Sequence, residues 1–212
     1  MTTTPEVVVA DLAAAPVSAS SLSCEERARA QRFVFDRDRR RFVAGRTILR
    51  NLLSARLGVS PARVDLVAGA NGKPEVRGSG VRFNLSHCED LAVYAFSSHE
   101  IGVDVEAIRP MPDVDAIASG FFSRREREAF SRLRPSDRVV GFFNCWTRKE
   151  AFFKALGSGL DARLDAVDVS FEPGQPARIV RVGDTPGEDC NWTLESFQPA
   201  PGFVAAVVAQ KS

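Results

Sequence analysis

The stretch 101–106, with the sequence IGVDVE, constrains the fold and the chemistry of this chain more than any other. Its apolar residues alternate with Gly102, Asp104 and Glu106, which is the two-residue period of a β-strand with one apolar and one polar face. Both carboxylates therefore lie on one face. Like charges this close are stable when they are solvated or share a cation, and two oxygen ligands on a strand suit Mg²⁺. A polar face turned to water is the alternative that this stretch alone leaves open.

Composition narrows the class of protein. The chain has 212 residues, 44% hydrophobic and 26% charged, which is enough apolar material for one or two compact units. A net charge of +1 argues against nucleic acid as a partner. The four cysteines form no C-x-x-C pair, which is typical of a reducing compartment, and residues 1–15 do not resemble a secretion signal. We therefore expect a cytoplasmic protein, and no apolar run long enough for a membrane span.

Helix signals occur in two matching sets. The pattern S-x-x-E at 23–26 and again at 123–126 is a capping box, which predicts a helix start. An amphipathic pattern follows each box and predicts a long helix, over about residues 39–57 and 137–156. Gly58 closes the first long helix and Gly157-Ser158-Gly159 the second.

The remaining apolar runs predict strands, at residues 7–10, 64–67, 81–86, 91–96, 101–106, 166–171, 177–182, 192–197 and 203–209. The order predicts an α+β fold of two similar halves with mostly antiparallel sheets, residues 1–108 and 109–212, separated at Arg109-Pro110-Met111-Pro112. The similarity of the halves hints at a duplication. A meander of the strands near 81–106 should bring Asn84, Ser86 and His87 close to Asp104 and Glu106.

Arginine is concentrated near the first half's helices. Residues 24–50 contain nine arginines and four acids, an excess of five positive charges in a nearly neutral chain. Guanidinium groups bind phosphate oxygens through paired donors, so this excess favours a phosphate-rich ligand. A solvated helix face is the alternative.

Two further groups of residues are candidates for chemistry. Trp146, Glu150 and Lys154 recur every four residues and so form one stripe on the second long helix, although Glu four before Lys is also an ordinary helix-stabilising pair. His87 is open to three interpretations, as a phosphate ligand, a general base or a core histidine. A Cys–His pair of His87 with Cys88 is disfavoured, because neighbours on a strand point to opposite faces.

Four segments resemble the signature blocks of the 4′-phosphopantetheinyl transferases of the larger, surfactin-type branch. They are Gly72-Lys73-Pro74, Phe83-Asn84-Leu85-Ser86-His87, the stretch 101–106, and residues 146–157 with the sequence WTRKEAFFKALG. They occur in the family's order and spacing, and the resemblance spans about residues 27–159. It implies an intramolecular pseudo-dimer of two α/β halves that is a monomer in solution.

The resemblance also implies an activity: Mg²⁺-dependent transfer of 4′-phosphopantetheine from coenzyme A to a serine of an apo acyl or peptidyl carrier protein, with release of adenosine 3′,5′-bisphosphate. Asp104, Glu106 and Glu150 match the family's metal ligands, so the site should lie between the halves. Glu150 also matches the general base and Lys154 the group that stabilises the leaving phosphate, with Asp104 as the third catalytic residue.

The coenzyme-binding residues that the resemblance implies are Arg41, Lys73, Pro74, Asn84, Ser86, His87, Asp104, Glu150 and Lys154. The chain departs from the family at Glu26, where some members carry a basic residue before the position of Arg29. We therefore expect the 3′-phosphate to depend on Arg29, Arg41 and His87.

Carrier docking is expected in the second half, on Met111, Phe121 and Phe122 with the neighbouring arginines 124, 125 and 127. Burial of both phenylalanines in the core is the alternative. Two other functions remain open, namely an Mg²⁺-dependent nucleotide phosphohydrolase and a non-catalytic module that binds coenzyme A or a carrier protein.

Overall fold

The computed structural model describes residues 4–158, 163–183 and 187–212, so the predicted helix end at Gly159 lies outside the described residues. The α-helices are α1 Cys24–Gln31, α2 Asp36–Leu57, α3 Val114–Phe121, α4 Arg124–Ser131 and α5 Pro135–Leu156. The strands are β1 Glu6–Asp11, β2 Leu66–Ala68, β3 Pro74–Val76, β4 Arg82–Cys88, β5 Leu91–Ser97, β6 Ile101–Ala107, β7 Val167–Val169, β8 Ile179–Val182, β9 Trp192–Phe197 and β10 Phe203–Gln210.

Two three-stranded antiparallel sheets carry the fold, in the orders β1-β5-β4 and β6-β10-β9. In both, the strand that comes last in the sequence lies at the centre of its sheet, between the first strand and the one that precedes it. Each half also has a two-stranded ladder, β2-β3 or β7-β8. The predicted α+β class with antiparallel sheets is confirmed, and the apolar strand β5 is interior, as its sequence predicts.

The helices repeat between the halves as closely as the sheets do. Both capping boxes form: the side chain of Ser23 accepts from the amide of Glu26, and that of Ser123 accepts from the amide of Glu126. The long helices α2 and α5 have 22 residues each, and each ends at a left-handed glycine with φ of 67° or 68°. The two predicted long helices are therefore confirmed, with earlier starts than predicted, because Phe35 and Arg134 are the N-caps.

A buried ion pair links the short and the long helix of each half. Arg50 Nε lies 2.6 Å from Glu26 Oε2, and Lys149 Nζ lies 2.5 Å from Glu126 Oε2. Each cation also donates to two backbone carbonyls, those of Pro61 and Val64 for Arg50 and those of Leu164 and Val167 for Lys149. Charges that have left water are stabilised by such complete sets of partners.

The predicted meander is wrong in its third strand. β4 and β5 form a hairpin, but the backbone of β6 pairs with β10, with Asp104 opposite Ala206. β6 nevertheless lies beside β4, because Asn84 Oδ1 accepts from Val103 N at 2.8 Å and Ala107 N donates to Cys88 Sγ at 3.3 Å. The two strands thus run parallel, held in part by side chains. The division at 108/109 stays a prediction, with β6 in the sheet of the second half.

Two other predicted strands have different bounds in the structure. The strand predicted at 64–67 is displaced to β2, and the one predicted at 166–171 shortens to β7. The sequence analysis missed α3, which follows the proline-rich segment at 109–112 and buries Val114 and Ala118. In the described ranges, no helix is both long and apolar enough to cross a bilayer.

The buried pair in the second half yields a stability prediction. Lys149→Met leaves the Glu126 carboxylate without its cation at 3% side-chain exposure, and we expect a loss of about 3–5 kcal/mol in the free energy of unfolding. The double variant Glu126→Gln/Lys149→Met should lose less, since no buried charge remains. Urea unfolding measures both.

Arg124→Met is the matched control, because Arg124 is 85% exposed in its pair with Glu128 and such pairs contribute about 0–1 kcal/mol. A double variant that loses as much as Lys149→Met would show that Lys149 stabilises the fold by packing and not by its charge.

Candidate active site

The site begins where β6 lies against the backbone of α5. A Cβ atom at Gly102 would lie 2.0 Å from the carbonyl oxygen of Ala151 and 2.3 Å from the amide nitrogen of Ala155. Only glycine permits this approach. It brings the polar face of β6, with Asp104, to the last two turns of α5, where Lys154 lies.

Asp104 is the centre of the polar contacts and is only 4% exposed. Its Oδ1 accepts from Lys154 Nζ at 2.6 Å and from Ser86 Oγ at 2.9 Å, and Lys154 also donates to Ser86 Oγ at 3.1 Å. Its Oδ2 is buried and has no hydrogen-bond partner among the residues that the structure describes. The alternative of a carboxylate turned to water is therefore wrong for Asp104. A buried carboxylate oxygen without a partner is costly unless a cation or a donor reaches it.

The pKa values of the other two carboxylates, Glu150 and Glu106, are both raised. Burial, and after it the charge of Asp104, raises the pKa of Glu150, while Lys154 lowers it. Burial and the charge of Asp104 likewise raise the pKa of Glu106, which Arg109 lowers. Burial is the larger cause of both shifts and the negative charge of Asp104 the second, and a bound cation would relieve the second.

The donor chemistry fits Mg²⁺, although the predicted three-ligand set does not assemble. In the part of the chain that the structure describes, no three side chains of His, Cys, Asp or Glu converge closely enough to hold a metal ion, so Asp104, Glu106 and Glu150 are not together at ligand distance. Mg²⁺ usually takes one or two protein carboxylates, with waters and substrate phosphates as its other ligands. The free Oδ2 of Asp104 is the atom best suited to such a site.

A cavity of about 680 Å³ opens beside these groups. The loop at residues 71–73 and strand β4 line one side of it, and helix α5 lines the other. Glu150 and Lys154 line its polar wall, so the predicted stripe on α5 faces this space. Trp146 lines the apolar wall, stacked on Phe142 at 6.0 Å and edge-on to Phe121 at 5.2 Å. The cavity can thus hold a ligand with one charged and one apolar part.

The predicted coenzyme-binding residues of the first half divide into two groups. Lys73 and Asn84 line the cavity, and Ser86 meets Asp104 and Lys154 at its edge. Pro74 instead borders a second cavity of about 260 Å³, where Arg29, Arg32 and Arg46 lie around Phe42. The side chain of Lys73 is 13% exposed and its ammonium donates to three oxygens.

Arg41 and His87 lie at the edge of the site. Arg41 is held by Asp90 through two bonds of 2.7 and 3.0 Å, which raises the pKa of the guanidinium and lowers that of the Asp90 carboxyl. His87 is exposed, so it is no core histidine. Partial desolvation, and after it the charges of Arg41 and Lys154, lowers the pKa of its imidazole. The charges of Arg41 and Lys154 thus both act at His87, and Asp90 offsets part of the charge of Arg41.

Neither the contact of Asp90 nor the inward position of Glu26 was predicted from the sequence. Asp90 follows Glu89, whose φ of 54° marks the β4–β5 turn, and this turn carries the partner of Arg41. Glu26 faces inward, where it completes the capping box and holds Arg50. Arg50 is therefore part of the core, and the phosphate-binding interpretation does not apply to it. The sequence pattern that could have predicted this buried pair is a capping box followed by an arginine on the next helix.

Two other expectations concern the burial of Phe121 and Phe122 and the pairing of Cys88 with His87. Phe122 is a core residue at 2% exposure, whereas Phe121 is 41% exposed and lines the cavity. Cys88 points to Glu106, with its Sγ 3.7 Å from Oε2, so it forms no nucleophilic pair with His87.

Comparison with known proteins shows which family the chain belongs to. Residues 100–208 match the model of the 4′-phosphopantetheinyl transferase superfamily, and residues 13–99 match that of the 4′-phosphopantetheinyl transferase N-terminal region. The 4′-phosphopantetheinyl transferase HetI from Nostoc sp. (strain PCC 7120) is 39% identical over 208 residues, which cover 96% of this chain and 82% of HetI.

Two Bacillus relatives have the same description. The 4′-phosphopantetheinyl transferase psf-1 from Bacillus pumilus is 31% identical over 90% of this chain and 79% of its own length. Sfp from Bacillus subtilis (strain 168) is 27% identical over 90% of this chain and 83% of its own length. The chain belongs to the 4′-phosphopantetheinyl transferase family and is an enzyme of that class.

The electrostatics of the site yield a prediction. Asp104→Asn removes a negative charge beside Glu150 and releases Lys154 from its ion pair, and both changes should lower the pKa of Glu150 toward its usual value. Titration of the Glu150 carboxyl carbon by ¹³C NMR, without added metal, measures the shift. Asp65→Asn, which removes an exposed partner of Arg77, should leave the midpoint in place. An unmoved Glu150 midpoint in Asp104→Asn would contradict the coupling.

Proposed function

We propose that this enzyme transfers the 4′-phosphopantetheine group of coenzyme A to a serine hydroxyl of an apo acyl or peptidyl carrier protein, in an Mg²⁺-dependent reaction that releases adenosine 3′,5′-bisphosphate. The observation that supports this most is the pairing of Asp104 with Lys154 and Ser86, next to a cavity that Lys154 and Glu150 line. Membership of the family supports the reaction type.

The chemistry follows from the groups present. Glu150 accepts the proton of the serine hydroxyl, and a raised pKa makes its carboxylate a stronger base near neutral pH. The serine oxygen bonds to the β-phosphorus of coenzyme A, and the bond from that phosphorus to the bridging oxygen of the α-phosphate breaks. Lys154, which lines the same cavity, stabilises the departing oxygen through its ammonium.

Asp104 would hold Mg²⁺ through Oδ2, with Glu106 or Glu150 and the substrate's phosphates as further ligands. When bound, this ion supplies positive charge that neutralises the pyrophosphate. Lys154 and Ser86 bind the other oxygen of Asp104, so they hold the carboxylate in place without blocking Oδ2.

Coenzyme A fits the distribution of charge and apolar surface. The pyrophosphate belongs beside Lys154 and Glu150, and the pantetheine arm beside Trp146 and Phe121. The nucleotide's 3′-phosphate belongs near Arg41 and His87, which lie close enough together for the guanidinium to lower the pKa of the imidazole. The enzyme acts as a monomer, because the site is formed by the two halves of one chain.

The reaction itself is the first test. Incubation of the purified protein with coenzyme A, Mg²⁺ and an apo carrier should raise the carrier's mass by one phosphopantetheine group, as measured by mass spectrometry. Asp104→Ala should reduce the rate by at least about 10³-fold while the protein still folds, because the charge stabilisation that the site supplies is lost.

Free nucleotide without a gain in carrier mass would indicate a phosphohydrolase. Neither product in the wild-type protein would indicate a binding module. Normal turnover of Asp104→Ala at ordinary Mg²⁺ would contradict the assignment of the site.

Selectivity for the 3′-phosphate tests the proposed roles of Arg41 and His87. Arg41→Ala and His87→Ala should raise the KM for coenzyme A about tenfold and raise that for 3′-dephospho-coenzyme A far less, because a charge-assisted contact contributes about 1.5–3 kcal/mol. Asp90→Asn, which loosens Arg41 without removing it, should have an intermediate effect. Equal effects on both coenzymes would place the 3′-phosphate elsewhere.

Carrier docking is proposed on Phe121 with the exposed arginines 124 and 125 at the start of α4. Carrier proteins with an acidic helix beside the modified serine would be attracted to this surface. Arg124→Glu/Arg125→Glu should lower kcat/KM for the carrier about tenfold and weaken its salt dependence, with the KM for coenzyme A unchanged. The control Arg63→Glu reverses an exposed charge in the first half. Equal carrier kinetics in all three proteins would rule out this surface.

A further inference from the structure

The loop before β3 in the first half contacts the C-terminal end of α5 in the second half. Asn71 Nδ2 donates to Gly157 O at 2.7 Å. Lys73 Nζ donates to Ala155 O at 3.0 Å, to Ile101 O at 3.1 Å and to Glu100 Oε2 at 3.1 Å. We refer to residues 70–73 as the clasp loop.

These contacts provide hydrogen-bond donors for backbone carbonyls at the C-terminal end of α5. The last carbonyls of a helix have no amide partner within the helix, and they carry its negative dipole end, so an ammonium and an amide group are favourable partners there. The clasp loop supplies both. Its backbone turns through left-handed conformations at Asn71, with φ of 53°, and at Gly72, with φ of 78°, which only residues such as asparagine and glycine adopt readily.

The clasp loop also joins the two elements that form the active site. Lys73 binds one carbonyl at the start of β6 and one in the last turn of α5. Asp104 lies three residues after the first of these carbonyls, and Lys154 immediately precedes the second. Lys73 thus bridges the two elements that carry Asp104 and Lys154, the partners of the 2.6 Å ion pair.

We propose that Asn71 and Lys73 are positioning residues, which hold the C-terminal turn of α5 at the start of β6 so that Lys154 reaches Asp104 and the substrate. This interpretation differs from the one that the family resemblance gives for Lys73, a direct contact with the coenzyme. The ammonium of Lys73 already has three oxygen acceptors, the full number for its three protons. The kinetic part of the proposal rests on the proposed transfer function.

Two variants separate the two interpretations. Lys73→Met removes the ammonium but keeps the length of the side chain, and Asn71→Gly removes the amide but keeps the left-handed backbone. We expect Lys73→Met to lower kcat about tenfold with the KM for coenzyme A within about twofold of the wild type, because displaced catalytic groups lose rate and not ground-state binding. Asn71→Gly should lower kcat by a smaller factor in the same way, and Lys211→Met, an exposed lysine outside the site, should change neither constant.

Hydrogen–deuterium exchange, read by mass spectrometry, gives a measurement that does not require activity. In Lys73→Met and Asn71→Gly, exchange should accelerate at the last turn of α5, where Gly157 N and Ser158 N bond back to the helix, and should stay unchanged in the middle of α5. This separates the failure of the proposal from failure of the transfer function. If the wild-type protein transfers nothing, exchange still decides whether the clasp loop holds α5.

Two results would overturn the proposal. A raised KM for coenzyme A in Lys73→Met, with normal kcat and normal exchange at the end of α5, would make Lys73 a coenzyme ligand. Faster exchange throughout the protein, with a lower melting temperature, would make the loop a general stabilising element with no special effect on the site.

Discussion

The approach of β6 to the backbone of α5 at Gly102 is the contact on which the site depends. A side chain at this position would overlap Ala151 and Ala155, so any larger residue would push the strand away from the helix. The same contact fixes how far Asp104 lies from Lys154, which are joined at 2.6 Å. A glycine in a strand usually weakens it, but here it allows a carboxylate to be buried against a lysine and beside a second carboxylate, Glu150.

The two halves have equivalent buried ion pairs, but their long helices carry different polar side chains. The fifteenth residue of each long helix, Arg50 or Lys149, holds a buried capping-box glutamate. The next positions differ, because Glu150 and Lys154 in α5 correspond to Asn51 and Ala55 in α2. The repeat thus stabilises both halves in the same way, whereas Glu150 and Lys154 occur only in α5. Ser86 and the clasp loop come from the first half, so both halves contribute side chains to the site.

Local patterns predicted most of the elements and the polar face of β6, because capping boxes, helical periodicity and terminal glycines act over a few residues. The stripe of Trp146, Glu150 and Lys154 was predictable for the same reason. What could not be predicted depends on contacts distant in the chain. The backbone pairing of β6 with β10, the burial of Arg50 by Glu26 and the inward turn of Lys73 each need a partner that the local pattern does not reveal.

The central claim is that Asp104, next to Lys154 and Glu150, is where a divalent cation and the pyrophosphate of coenzyme A meet. Crystals of the protein grown with Mn²⁺ and coenzyme A, measured at the manganese absorption edge, test it most directly. The account predicts an anomalous difference peak for a Mn²⁺ ion bound to Oδ2 of Asp104, with the coenzyme's phosphates beside Lys154. A coenzyme bound in the cavity with no metal at Asp104, or a metal held only by residues away from β6, would contradict it.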